Sequence, residues 1–130
     1  MSFAIFPRSV LTIAAVYFAA SLAHFAHNAE YIAFYPGMPG WLTPEKVYLA
    51  WVGVSVPGVL AFVFARFSMA VPALLCLAAY GAFGLDGLAH YTLGLCADHT
   101  FVSNLTIWFE AVSGLALLLV SAVLCVRRRA

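Results

Sequence analysis

Four long apolar runs dominate the chain, separated by short stretches where proline, glycine and charged residues gather. A bilayer core about 30 Å thick takes about 20 residues of helix. Residues 9–35, 44–64, 69–93 and 101–126 each meet that length. Between the first two runs, Pro36-Gly37-Met38-Pro39-Gly40 stops a helix. Thr43-Pro44-Glu45 then reads as an N-cap followed by proline at the first helical position. The second connection, Arg66-Phe67-Ser68, is very short, and the third, 94–100, is polar and carries Cys96, Asp98 and His99. The pattern predicts an all-α integral membrane protein: one domain over 1–130, folded as a four-helix up-down transmembrane bundle. A cleavable leader is the competing reading of the first run, because Ser21-Leu22-Ala23 imitates a cleavage site. Cleavage would leave three spans and break the symmetry of the arginines.

That symmetry sets the direction. Arg8, Arg66 and Arg127-Arg128-Arg129 fall on one side of an up-down bundle, and Lys46 is the lone basic residue opposite. Basic residues mark the cytoplasmic side, so both termini are expected to be cytoplasmic. The compact size suits a bacterial inner membrane, with the other end facing the periplasm. The three C-terminal arginines read as an anchor on anionic lipid.

Composition narrows the class further. Hydrophobic residues make up 65% of the chain and charged residues 8%, against about 25% charged in a soluble domain. This excludes a soluble globule, a disordered chain and a nucleic-acid binder, whose basic face is missing. Cys76, Cys96 and Cys125 lie in separate regions with no Cys-x2-Cys pair, so neither a disulfide framework nor a thiolate zinc cluster is expected. Met1, Met38 and Met69 are too scattered for a Cu(I) relay.

The chemistry lies in ionisable groups inside the spans, which are costly there and by default point to function. They are His24, His27 and Glu30 in the first, Asp86 and His90 in the third, and Glu110 in the fourth. At about 1.5 Å per residue, His24 and His27 lie roughly 12–16 Å below the outer end, Asp86 and His90 roughly 5–10 Å, and Glu110 about 13 Å. A direction set by arginines alone thus brings all six to similar depth. Asp86 and His90, four apart, are expected to stack on one helix face. Ser103, Thr106, Ser113 and Ser121 share a stripe with Glu110. Ala15, Ala19, Ala20 and Ala23 on the first span, with Gly81, Gly84 and Gly87 on the third, allow close helix approach.

Imidazole and carboxylate together suit Zn, Fe or Cu, and bundle cores carry such ligands on facing helices. The leading expectation is a transition-metal site with His24, His27, Asp86, His90 and Glu110 as ligands, the surplus permitting a dinuclear centre. Glu30 or Glu110 could instead support a ligand or act as a general base. Such a site would serve a metal-dependent hydrolase or oxidoreductase acting on a hydrophobic substrate, or metal sensing and delivery. A second expectation is a b-type haem held by His24 or His27 and by His90, with Gly84 and Gly87 making room. A third is a small proton-coupled transporter, in which Glu110 or Glu30 releases a proton as a cationic substrate binds. A purely structural hydrogen-bond network is the bland alternative. His-x2-His-x2-Glu is not the His-Glu-x2-His zinc signature, so no named motif decides among these. Expected partners are the lipid bilayer, a hydrophobic small molecule and further copies of the chain. Asp98 and His99 read as solvated loop residues, or as a metal entry gate or an extra ligand if that loop folds back. Tyr31, Phe34, Tyr35, Trp41, Tyr48 and Trp51 read as an interfacial aromatic belt.

Overall fold

A computed structural model describes residues 5–128, and among these it contains helices and no strand. Four helical spans are long and apolar enough to cross a membrane: Arg8–Glu30, Pro44–Arg66, Ala70–Leu93 and Phe101–Arg127. We name α1 (Arg8–Glu30), α2 (Pro44–Arg66), α3 (Ala70–Phe83), α4 (His90–Leu93) and α5 (Phe101–Arg127). The third span is composite: α3 runs into a 3-10 segment, Gly84–Ala89, and then into α4.

Local chemistry accounts for the ends. Pro44 opens α2, and the Thr43 hydroxyl accepts the Lys46 N–H at 3.4 Å. Thr100 caps α5, accepting the Ser103 N–H at 3.1 Å. Helix α1 stops at Glu30, five residues short of the expected end, and continues as a 3-10 turn, Ile32–Phe34. The tighter turn folds Tyr35 back beneath the helix end, where it is buried. Gly37, at φ +70°, lies so close to Leu93 that a side chain there would meet the Leu93 carbonyl, while Pro36 packs on Gly94. The first and third loops are thereby joined at one end of the bundle.

The helices pack in a ring, α1 on α2, α2 on α3, α3 on α5 and α5 on α1. The α3–α5 crossing is the tightest. A Cβ at Gly81 would lie 2.6 Å from the Gly114 carbonyl oxygen, and one at Gly114 would lie 2.6 Å from the Gly81 oxygen. Below this crossing an apolar core gathers Val10, Tyr17, Leu74, Leu77 and Leu117. Arg8, Arg66 and Arg127 sit at the same end, and the Arg128 guanidinium donates to the Ile5 carbonyl at 3.1 Å. Arg129 lies outside the described residues. The outward surface is apolar, with Leu49, Val59, Val112 and Leu119 all exposed, while Ser21, Ser103, Glu110 and Ser121 are buried. That inversion of the usual soluble pattern is compatible with a lipid surround.

Replacing Gly114 by Ala should cost about 1–3 kcal/mol, because the backbones cannot separate without losing the crossing. Gly53→Ala, where nothing lies within 4 Å, should be neutral or stabilising. Thermal unfolding of both variants in detergent checks this; equal stabilities would mean the crossing is not tight.

Candidate functional site

The polar side chains converge in the half of the bundle remote from the arginines. Helix α1 contributes His24 and Asn28, one turn apart on its buried face, and α5 contributes Ser103, Thr106 and Glu110. His90 comes from the start of α4, Tyr35 from the turn after α1, and His99 from the third loop.

Glu110 and His24 form the centre. The carboxyl is 1% exposed, and its Oε2 lies 3.7 Å from His24 Nε2. Neither carboxyl oxygen accepts a hydrogen bond. The Ser21 hydroxyl faces the carboxyl without completing one. The tautomer of His24 follows from its other nitrogen. Thr106 donates its hydroxyl to the Ser103 carbonyl at 3.0 Å, so at 3.4 Å from His24 Nδ1 it can only accept. With the Thr106 proton on the Ser103 carbonyl, the tautomer that fits has Nδ1 protonated and the Nε2 lone pair turned toward Glu110.

A second layer lies nearer the loops. Asn28 Nδ2 is 3.0 Å from His90 Nε2, leaving His90 Nδ1 buried without a partner. His99 donates from Nδ1 to the Leu95 carbonyl at 2.9 Å, and its Nε2 is likewise buried and unpaired. The His90 and His99 ring centroids are 6.2 Å apart, and those of His24 and His90 are 5.3 Å apart. Tyr35 is the hub, with its ring 4.9 Å from His90, 5.8 Å from His27, 6.2 Å from His99 and 6.4 Å from His24. Its hydroxyl lies 2.9 Å from His27 Nδ1. Burial pushes the Tyr35 phenol above its ordinary value, against the pull of the Thr106 and Ser103 hydroxyls. It therefore stays protonated and available as a donor.

Of the expected ligands, His24, His90 and Glu110 are thus neighbours, and His27 is half-buried and tied to Tyr35. Asp86 is exposed on the flank of the third span, which corrects the expectation that it shares the face of His90. The cause is the 3-10 segment. At 3.0 residues per turn, Asp86 and His90 stand about 100–120° apart, not the roughly 40° of an α-helix. Glu30 is exposed and accepts the Tyr48 hydroxyl at 2.8 Å, strapping α1 to α2. Asp98 is exposed and accepts the Leu95 N–H at 2.9 Å. His99, read from sequence as a loop residue, is buried, and Tyr35, read as part of an interfacial belt, is 3% exposed. Asn28 was missed altogether; its signal was its position four residues after His24.

Among the described residues, no three His, Cys, Asp or Glu side chains converge closely enough to hold a metal ion. The faces of Gly84 and Gly87, considered as room for a macrocycle, are filled by Tyr17, the α5 backbone and the Glu110 carboxyl. The His24 and His90 rings stand edge to face with centroids 5.3 Å apart. No family model, no curated protein and no solved structure matches the chain.

Tyr35→Phe should remove the His27 contact and cost about 1 kcal/mol. The His27 ring nitrogens, followed by NMR, should shift while those of His99 stay put. Shifts at both rings would show that the phenol organises the whole cluster.

Proposed function

We propose that this chain is a small proton-coupled membrane transporter whose coupling group is Glu110. One observation carries the reading: the Glu110 carboxyl is 1% exposed, is hydrogen-bonded at neither oxygen, and has a histidine nitrogen 3.7 Å away. An ionised carboxylate in such a place costs several kcal/mol unless its charge is matched. A proton or a bound cation must therefore accompany it at every stage. Competition between the two for one carboxylate is a sufficient coupling device, since a cation enters as a proton leaves. His24 Nε2, an acceptor on the same side, can take the departing proton and hand it toward the loop-side cluster.

The position of the group fits this use. Glu110 is nine residues into α5, about 13 Å from its loop-side end at 1.5 Å per residue. His90, His99, Tyr35 and Asn28 lie on the loop side of it. On the arginine side, polar groups thin to the buried, unpartnered hydroxyls of Tyr17, Tyr80 and Ser121. In this reading the chain is inserted in a bacterial inner membrane with both termini cytoplasmic, and the histidine cluster faces the periplasm.

A second reading, a transition-metal site, is favoured by the unpaired His90 Nδ1 and His99 Nε2 beside His24. With Glu110 and a change of rotamers, these nitrogens would supply a set suited to Zn, Cu or Fe. His27 and Asp86 would then join only after larger movements. An enzyme acting on a hydrophobic substrate would follow from this reading alone.

The tests differ. In unbuffered detergent, lipophilic cations should release protons in stoichiometric amount from the wild type and none from Glu110→Gln. Silence from the wild type would overturn the transport reading. Elemental analysis should find less than stoichiometric metal; stoichiometric metal that disappears in His24→Ala and His90→Ala would establish the second reading instead.

A further inference from the structure

A groove on the flank of the bundle lies apart from the polar centre. It runs between α1 and α2 with α3 behind it, and holds a cavity of about 350 Å³. That volume is at the small end of the range for ligand pockets, about 300–1,000 Å³. Small residues make the space. Ala14 and Ala15 of α1 line it opposite Gly58 of α2, and a Cβ at Gly58 would stand 2.9 Å from the Tyr80 ring behind it. Aromatic pairs bound the groove at both ends: Phe18 packs on Trp51, and Phe6 on Phe62, each with ring centroids 5.6 Å apart. None of the lining residues is charged. The Ser55 hydroxyl is engaged with the Trp51 carbonyl at 2.8 Å, and the Tyr80 hydroxyl is itself buried. Ala15, Phe18 and Val59 are exposed, so the groove opens on the outer face of the bundle.

One end of this apolar groove is cationic. On α1, residues 8, 11, 15 and 18 fall within about 80° of one another at 3.6 residues per turn. Arg8 therefore continues the stripe of Leu11, Ala15 and Phe18 that lines the groove. On α2, residues 55, 59, 62 and 66 fall within about 60°. Arg66 therefore continues the stripe of Ser55, Val59 and Phe62. Both arginines are exposed, and each stands roughly 5–6 Å along its helix from the nearest lining residue. A guanidinium carries five donors in a planar fork that matches phosphate. An apolar slot ending on two such groups fits an amphiphile with a phosphate head and a hydrocarbon chain. A second copy of this chain matches the charge poorly. All five Asp and Glu side chains lie in the loop-side half, so a parallel copy brings none of them to the arginines.

We infer that the α1–α2 groove is a binding site for one anionic phospholipid, with an acyl chain lying between the two helices and the phosphate meeting Arg8 and Arg66. Anionic lipid gathers in the cytoplasmic leaflet, which is the side that basic residues mark. The site does not depend on the role of Glu110 and requires only that the bundle stand in a bilayer. A chain seated there fills the space that Ala14, Ala15 and Gly58 leave, and so sets the spacing of α1 and α2.

The test uses Trp51, beside the Phe18 end of the groove, as a fluorescent reporter. Trp41 and Trp108 are changed to Phe, and the protein is reconstituted into phosphatidylcholine vesicles. Phosphatidylglycerol and phosphatidylcholine, each brominated on the acyl chains, are compared as quenchers at equal mole fraction. The anionic lipid should reach Trp51 with an apparent affinity about tenfold or more above that of the zwitterionic one, the gain expected of two basic residues at an anionic headgroup. Arg8→Gln with Arg66→Gln should remove the preference, and Arg127→Gln, at the same end but on α5, should keep it. Equal loss in both variants would mean a general surface attraction and overturn the site, as would equal quenching by the two lipids before any arginine is changed. Ala15→Phe, which fills the groove and leaves both arginines, should abolish the preferential quenching. A preference unchanged in that variant, with helicity and melting showing it folded, would mean that no chain lies in the groove. A dimer that Ala15→Phe dissociates, with quenching indifferent to lipid charge, would seat a second copy there instead. None of these outcomes bears on proton release at Glu110.

Discussion

The backbone contact between α3 and α5 at Gly81, Gly84 and Gly114 is the constraint on which the rest of the bundle depends. Two helices meet there with no side chain between them: a Cβ at Gly84 would stand 2.8 Å from the Tyr17 ring and 2.9 Å from the Glu110 carbonyl. In lipid, which supplies no hydrophobic drive to bring helices together, such packing would do it. The same contact draws the Glu110 turn of α5 against the third span. From there the carboxyl lies against Gly87 of the third span and faces His24 on α1. The crossing is thus a structural device first, and the closeness of the dyad follows from it.

How much of this was legible in the sequence depends on which coordinate is asked for. Depth along a helix is a residue count multiplied by a rise, and it survives small errors. His24, His90 and Glu110 accordingly do come together from separate spans. Azimuth accumulates error. Over Gly84–Ala89 each residue turns about 120° and not 100°, and within a few residues Asp86 has left the face of His90. Nothing in Gly-Leu-Asp-Gly-Leu-Ala announces that overwinding. It arises where two glycines are held against α5. The Pro44 and Thr100 ends were readable because capping is local chemistry. The place of Tyr35 was not, since it depends on a 3-10 turn returning the chain beneath its own helix. The His99 ring was hidden for a related reason: its burial comes from the docking of two loops, a contact between residues far apart in the chain.

The polar cluster has two layers with different states of completion. The loop-side layer is largely knitted, through Asn28 to His90, Tyr35 to His27 and His99 to Leu95. The deeper layer leaves both Glu110 oxygens open. A network serving only to fix helix register gains most when every member is satisfied, because each orphan buried at low dielectric is expensive. Here Glu110 leaves both oxygens open, while His90 and His99 each leave one ring nitrogen unpaired.

The overwound segment also settles a mismatch in stature. Helix α5 has 27 residues and stands about 40 Å tall at 1.5 Å per residue. The third span has 24, and as uniform α-helix would reach only about 36 Å. Six residues at roughly 2.0 Å each restore about 3 Å, so the two antiparallel neighbours finish nearly level. The short loop that joins them, with His99 in it, can then lie flat across their tops as a roof over the histidines.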